Sequence, residues 1–245
     1  RLFVDGKPVA QGRSDHEPVT ITGVVSMRAG VPYPIRLEME HEKYDAIAQL
    51  LWEAPGGQGD EVAEAVAAAR AADAVVMVLG LSSRLEGEEM PVRIEGFAGG
   101  DRTSLDLPKV QQQLMEKVIA AAKGKPVVLV LLNGSPLTLG WADQNVPAIV
   151  EAWYGGQAAG TAVGEVLFGD VSPAGRLPLT FYRSLDQLPP FDDYAMKGRT
   201  YRYFTGQPLY PFGHGLSYSR FEYAKLAVPK KAAVGAPVAV SVEVH

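Results

Sequence analysis

Two short apolar runs decide the fold: AVVMVL at residues 74–79 and PVVLVLL at residues 126–132. Each run has the length of a strand, and neither alternates with polar residues, which is the pattern of a strand that is covered on both faces. The first run follows an alanine-rich helical segment over residues 61–72, which Asp60 is well placed to cap. The pattern therefore predicts strands that alternate with helices in a parallel sheet.

The next segments continue this alternation. Pro108 marks the first turn of a helix with an apolar stripe. Strands are predicted over residues 146–153 and 176–181, on either side of a helix over residues 157–168 that Gly169 ends. We expect an α/β domain, with a mostly parallel sheet sandwiched by helices. It covers residues 58–222 and is preceded by part of a β-sandwich.

The N-terminal segment, residues 1–57, has β character. Asp5-Gly6 is a turn pair between two short strands and predicts a hairpin. Apolar and polar residues alternate over residues 33–40, which predicts a strand with one buried face. An apolar stretch over residues 47–52 ends at the Gly/Pro-rich boundary of residues 54–57.

The C-terminal segment, residues 223–245, contains short alternating runs that proline and glycine separate. This pattern predicts the first strands of a second β domain. Both ends of the sequence have the pattern of a strand, and the first residue is not methionine. We therefore expect the chain to be part of a longer protein.

The composition argues against several classes of protein. Hydrophobic residues make up 47% of the chain and charged residues 21%, which are globular rather than disordered values. The formal net charge is -5 and basic residues do not cluster, so nucleic acid is not expected as a partner. Since cysteine is absent, disulfides and thiolate metal sites are excluded, while the compartment stays open. No apolar run approaches the roughly 20 residues that span a bilayer, so no membrane partner is expected.

The most informative segment for chemistry is SSRLEGEEM at residues 82–90, which directly follows the first parallel strand. Ligands of open α/β sheets bind outside the carboxyl ends of the strands, and this edge would carry Glu86, Glu88 and Glu89. Cleavage of a glycoside needs a protonated carboxylic acid opposite a second carboxylate. Crowding of like charges favours a proton on one of the three glutamates.

Other interpretations of the sequence remain open. The composition of the acidic segment alone is better explained by a solvated loop that pairs with Arg84, Arg93 and Arg102. His214 has no second histidine at metal-ligand spacing, so a structural role is predicted. The glycine pairs do not form a phosphate-binding motif, and no serine lies in a hydrolase nucleophile motif. For the aromatic residues between 201 and 221, packing against the sheet is preferred over a sugar-stacking wall. We predict no cofactor and no metal.

The ordered motifs from residue 60 to about residue 222 resemble glycoside hydrolase family 3. The motifs are VVMVLG at 75–80, the acidic loop, DR at 101–102, LDLP at 105–108, KP at 125–126, NGSP at 133–136, AWYGG at 152–156, GRLP at 175–178, YRYF at 201–204 and LYPFGHGLSY at 209–218. Residues 1–57 resemble the C-terminal part of a protective-antigen type β-sandwich, which some members carry as an insert. Residues 223–245 resemble the start of a fibronectin type III-like domain.

The resemblance implies a retaining mechanism. An aspartate on a preceding (β/α)8 barrel attacks the anomeric carbon, and a glutamate on the acidic loop protonates the leaving group. It implies a β-glucosidase fragment that acts on terminal β-D-glucosyl residues, with β-glucosides or cello-oligosaccharides as substrates. The fragment would be active only together with the barrel domain of the same protein, and a homodimer is compatible with this expectation.

Glu88 matches the family's acid/base glutamate best, because a short Gly-Glu pair follows the strand at a similar distance. In the commoner form of the loop the glutamate precedes the Asp-Arg pair by only a few residues, whereas here ten or more residues separate Glu88 from Asp101. Glu86 and Glu89 therefore stay as rivals. The alternatives are a carbohydrate-binding fragment or inactive homologue, and a flavodoxin-like nucleotide or flavin binder, which the absence of a phosphate loop opposes.

Overall fold

The computed structural model describes residues 1–13, 19–42, 48–53 and 60–245. These residues form two compact units, which meet in the chain at residue 60. The boundary predicted at residues 54–57 lies outside the described residues. The assignment of the flanking segments to particular module types stays a prediction.

The first unit contains a sheet of three short strands in the order β2-β1-β3. They are β1 (Leu2–Val4), β2 (Lys7–Ala10) and β3 (Ile35–Leu37), and both pairings are antiparallel. The predicted hairpin is confirmed, since Asp5 and Gly6 both have positive φ, as a tight turn of this type requires. The strand predicted over residues 33–40 is shorter than expected. Its apolar residues are not buried, because Ile35 and Leu37 are 48% and 44% exposed.

The second unit has the alternation of an α/β domain. Its elements in chain order are α1 (Glu61–Ala71), β4 (Val75–Gly80), β5 (Arg93–Ile94), β6 (Phe97–Ala98), β7 (Asp101–Arg102), α2 (Lys109–Ala122), β8 (Val127–Leu132), α3 (Gly140–Asn145), β9 (Ala148–Glu151), α4 (Ala159–Phe168), a 3-10 turn (Leu185–Gln187), α5 (Thr200–Tyr203), β10 (Tyr223–Ala227) and β11 (Ser241–Val244). The strands β4, β8 and β9 form one parallel sheet in that spatial order. The α/β class and its parallel sheet are confirmed.

The core lies where the apolar runs pack on the helices. Leu129 and Leu131 of β8 are fully buried, as is Met115 of α2. The pattern of a strand covered on both faces holds for β8 but not for β4, where Val76 and Val78 are 52% and 56% exposed. Among the described residues one face of β4 is open, so a complete helical layer on both faces stays a prediction.

The helix ends follow the predicted signals. Helix α2 begins directly after Pro108 and is ended by Lys123, which adopts a left-handed conformation. Helix α4 is ended by Gly169, also left-handed, whose N–H bonds back to the last turn. Glycine favours such a position because it has no Cβ.

The strand predicted over residues 176–181 is wrong. Only an isolated antiparallel bridge between Phe181 and Tyr210 is present. The backbone of Leu177 bonds instead to residues 213 and 214, and Pro178 has no N–H to continue a ladder. The strand predicted over residues 146–153 is limited to β9, and α3 was not predicted.

Strands β10 and β11 form an antiparallel pair, which agrees with the β character expected of residues 223–245. In the part of the chain that the structure describes, no helix has both the length and the apolar character to cross a membrane.

Candidate active site

The acidic loop follows Gly80, the last residue of β4, which hydrogen bonds from helix α2 hold in place. The side chain of Gln111 in α2 bonds both backbone groups of Gly80, accepting from its N–H and donating to its C=O, each at 2.8 Å. Gly80 has a φ of 140°, and a Cβ at this position would lie 2.0 Å from the carbonyl oxygen of Leu132. Glycine is therefore required where the chain leaves β4.

The segment of ten or more residues between Glu88 and Asp101 contains regular structure. Strands β5, β6 and β7 form a small antiparallel meander there, with turns that place Gly96, Gly99 and Gly100 at positive φ. The Gly-Gly pair at residues 99–100 is a hairpin signal that could have revealed it. The acidic loop is joined to this turn, because the N–H of Gly87 bonds the carbonyl of Gly100 at 3.2 Å.

The three candidate glutamates have different surroundings. Glu86 is half-buried, and its Oε2 accepts a hydrogen bond of 3.0 Å from the hydroxyl of Tyr154. Glu88 and Glu89 are exposed, and Glu89 has a left-handed backbone with a φ of 50°. Among the described residues no hydrogen bond or ion pair holds the carboxylate of Glu88.

Arg102 was expected to pair with the acidic loop, but among the described residues it forms no ion pair with that loop, where only the charge of Glu86 acts on it. Its guanidinium donates to the hydroxyl of Ser135 at 2.8 Å and to the carbonyl of Ser104 at 2.9 Å. Burial lowers the pKa of Arg102, while the charges of Glu86 and Asp106 act to raise it. Arg102 therefore joins β7 to the loop that follows β8.

A second carboxyl group that the sequence did not single out lies at the end of β9. Glu151 accepts hydrogen bonds from the Nδ2 of Asn133 at 3.3 Å and from the backbone N–H of Trp153 at 3.2 Å. Burial raises the pKa of Glu151 to about 7, although both of these bonds act to lower it. Asn133 is fully buried, and its Oδ1 has no hydrogen-bond partner among the described residues.

Tyr154 lies against the loop that follows β8. A Cβ at Gly134 would come within 2.7 Å of the Tyr154 ring and 3.5 Å of the Glu86 carboxylate, so a larger residue here would displace the Tyr154 ring. Burial raises the pKa of Tyr154 to about 12, and the bond to Glu86 acts in the same direction. The hydroxyl therefore keeps its proton and acts as the donor to Glu86.

The position of these residues at one edge of the sheet could have identified them from the sequence. Asn133 and Gly134 follow the end of β8, and Glu151 and Tyr154 lie at the end of β9, the same edge from which the acidic loop leaves β4. The rule that sites form at the carboxyl ends of parallel strands applies to β8 and β9 as well as to β4.

The aromatic residues near the C-terminus have mixed roles. Tyr210 stacks on His214 with 4.8 Å between ring centroids, and its hydroxyl donates to Asp143 at 2.6 Å, so both rings are structural here. Tyr201 stacks on Phe212 at 4.4 Å, and both rings remain about half exposed beside a cavity of about 370 Å³. Packing against the sheet thus accounts for only part of this group. Within the described ranges, no group of three His, Cys, Asp or Glu side chains could hold a metal ion.

Comparison with known proteins identifies the family. The family model of the glycosyl hydrolase family 3 C-terminal domain matches residues 9–218. A xylan 1,4-β-xylosidase of Xylanibacter ruminicola is 51% identical over 165 residues, which are 67% of this chain and 19% of the relative. A periplasmic β-glucosidase of Salmonella typhimurium is 42% identical over 170 residues, 64% of this chain and 21% of the relative.

Among solved structures, the β-glucosidase of Kluyveromyces marxianus in complex with glucose is similar, with a TM-score of 0.59 and 31% identity over 76% of this chain and 22% of that one. The chain spans about a fifth of the length of the curated relatives that it matches. The family resemblance inferred from the motifs is thus confirmed independently by a family model, by sequence and by structure. The chain belongs to glycosyl hydrolase family 3 and carries its C-terminal domain.

Proposed function

We propose that this chain supplies the acid/base half of an exo-acting retaining β-glycosidase, a β-glucosidase that removes terminal β-D-glucosyl residues. The observation that carries the proposal is the acidic loop at the carboxyl edge of a parallel sheet, in a chain of a glycoside hydrolase family. The nucleophile comes from a (β/α)8 barrel elsewhere in the same protein.

Glu88 is the general acid/base in this proposal. Its carboxylate is exposed at the sheet edge, so a leaving-group oxygen can reach it. Glu86 is a weaker candidate, because one of its oxygens is already engaged by Tyr154. Glu89 is exposed too, but its own backbone is left-handed, with a φ of 50°, and it lies farther along the loop from Glu86 than Glu88 does.

The proposed chemistry needs two carboxyl groups about 5 to 5.5 Å apart. Glu88 first protonates the glycosidic oxygen while the barrel carboxylate attacks the anomeric carbon. Glu88 then removes a proton from the water that releases the sugar from the enzyme. The 245-residue chain alone contains only one partner of this pair, so we expect it to show no turnover in the assay that detects the complete enzyme.

The test is Glu88→Gln in the complete enzyme. We expect the kcat of a disaccharide, a poor leaving group, to fall at least about 10²-fold, the usual contribution of a general acid. Activated aryl glycosides should lose much less in the first step, and azide should restore their turnover. Glu89→Gln is the matched control and should stay near wild type. The assignment is wrong if Glu86→Gln or Glu89→Gln shows this leaving-group dependence and Glu88→Gln does not.

A second candidate function is β-xylosidase activity, which the 51% identity to the xylan 1,4-β-xylosidase favours. The ratio of kcat/KM for 4-nitrophenyl β-D-glucoside and β-D-xyloside decides between the two. A purely carbohydrate-binding role predicts instead that the complete protein binds these sugars and cleaves neither.

A further inference from the structure

We propose that Glu151 is a positioning residue for the acidic loop, and that it acts through the Trp153–Tyr154 turn, which carries the Tyr154 hydroxyl to Glu86. This inference deepens the proposed function and rests on it for its catalytic consequence. It rests on three contacts around the end of β9, one of which reaches the acidic loop.

The first contact is the hydrogen bond between Glu151 and the backbone of Trp153. Trp153 has a φ of 57°, a left-handed conformation that a bulky residue adopts only when its surroundings hold it there. The N–H of Trp153 donates to Oε1 of Glu151 at 3.2 Å. Its ring packs edge-to-face on the buried Phe181 with 6.1 Å between centroids. The backbone bond and the ring contact together fix the turn.

The second contact follows from the direction of this turn. The parallel ladder continues for one rung past β9, since the N–H of Ala152 bonds the carbonyl of Leu131 at 2.9 Å. The backbone is left-handed at Trp153, and Tyr154 lies over Gly134 with its hydroxyl 3.0 Å from Glu86. An extended Trp153 would carry Tyr154 in another direction, and Glu86 would lose its donor.

The third contact holds the other carboxylate oxygen of Glu151 at the loop that follows β8. Asn133 donates through Nδ2 both to Glu151 at 3.3 Å and to the backbone carbonyl of Ser135 at 3.0 Å. The hydroxyl of Ser135 in turn accepts from Arg102. Hydrogen bonds therefore hold both oxygens of Glu151, and the Trp153–Tyr154 turn is the route from Glu151 to Glu86.

Folding alone is a poor explanation for a carboxyl group at this position. Glu151 is largely buried without a described ion pair, and this burial raises its pKa to about 7. An apolar side chain would avoid this cost of desolvation. Groups that are kept in such surroundings are characteristic of functional sites.

The experiment uses amide hydrogen exchange of residues 82–90 in the complete enzyme. Glu151→Gln keeps the size of the side chain, but its amide cannot accept both bonds, and Glu151→Leu accepts neither. We expect either variant to speed exchange of the loop about fivefold, the equivalent of one hydrogen bond of about 1 kcal/mol. Tyr154→Phe should do the same. Glu116→Gln is the matched control, because among the described residues this exposed carboxylate of α2 bonds only to Gln112.

The decisive measurement is the double variant E151Q/Y154F. If Glu151 acts through Tyr154, the double variant exchanges no faster than Y154F alone. The inference is overturned if the two effects multiply, or if both Glu151 variants leave the loop at the wild-type rate. Hydrogen exchange does not depend on catalysis. If Glu88→Gln left the leaving-group dependence unchanged, the proposed function would be refuted, but the exchange result for Glu151 would still hold. In the kinetic assay, E151Q should lower kcat for poor leaving groups with little change in KM.

Discussion

The substitution Gly134→Ala tests the close contact between the loop after β8 and the acidic loop. The new Cβ would lie 2.7 Å from the Tyr154 ring, so the ring must move by about 0.7 Å to reach ordinary contact at 3.4 Å. A movement of this size lengthens the 3.0 Å bond to Glu86 beyond hydrogen-bond range. A bond to a charged group contributes about 1.5 to 3 kcal/mol when buried. Because Tyr154 is 45% exposed, water can replace it in part, and we expect a loss of about 1 kcal/mol.

A loss of this size corresponds to roughly a fivefold lower kcat/KM for an unactivated disaccharide, if Glu86 must be held for the loop to work. The matched control is Gly156→Ala, because a Cβ at Gly156 meets no atom within 4 Å. In a Tyr154→Phe background, Gly134→Ala should have no further effect, since the bond is already absent. The reasoning is refuted if Gly134→Ala behaves like Gly156→Ala, or if its effect is the same with and without the Tyr154 hydroxyl.

Two further predictions concern stability. Between pH 4.5 and about 7, Glu151 is protonated in the folded chain and ionised in the unfolded chain. Because the folded state then binds more protons, the free energy of unfolding falls as pH rises through this window. Glu151→Gln should remove this pH-dependent contribution to the free energy of unfolding, which is roughly 2 kcal/mol after a reduction for solvent screening. Urea unfolding of the complete enzyme at pH 5 and pH 8 measures the contribution. If the variant keeps the pH dependence of the wild type, the raised pKa does not belong to Glu151. Gly80→Ala should sharply reduce the yield of folded protein, because the Cβ meets the Leu132 carbonyl at 2.0 Å, whereas Gly140→Ala, with open space around it, should fold like wild type.

The sequence predicted those parts of the fold that depend on local signals. The apolar runs gave β4 and β8, and Pro108 and Gly169 gave the start of α2 and the end of α4, because strand burial and helix termination are properties of neighbouring residues. The strand predicted at residues 176–181 failed for the opposite reason, since its partners are distant in the chain, at residues 209–214, and pair with it only at single positions.

In the candidate site, too, only the part that depends on local signals was predicted. The acidic loop was predicted from composition and from its place after a strand. The partners of Glu86 could not be predicted, because Tyr154 is 68 residues away and its ring reaches the carboxylate only after Trp153 adopts a left-handed conformation. Such a conformation depends on tertiary contacts, and no local propensity of tryptophan indicates it. The choice among Glu86, Glu88 and Glu89 stays a prediction.

The double hydrogen bond between Gln111 and Gly80 has a consequence for how this region can vary. A side-chain amide there occupies the place of a neighbouring strand, so the root of the acidic loop is clamped to a helix. Arg102 clamps the other end through Ser104 and Ser135. A segment that is held at both ends can gain or lose residues between them while the two anchoring residues stay in place. The meander of β5, β6 and β7 lies in this segment, so we expect changes of length there to leave the sheet beneath unchanged.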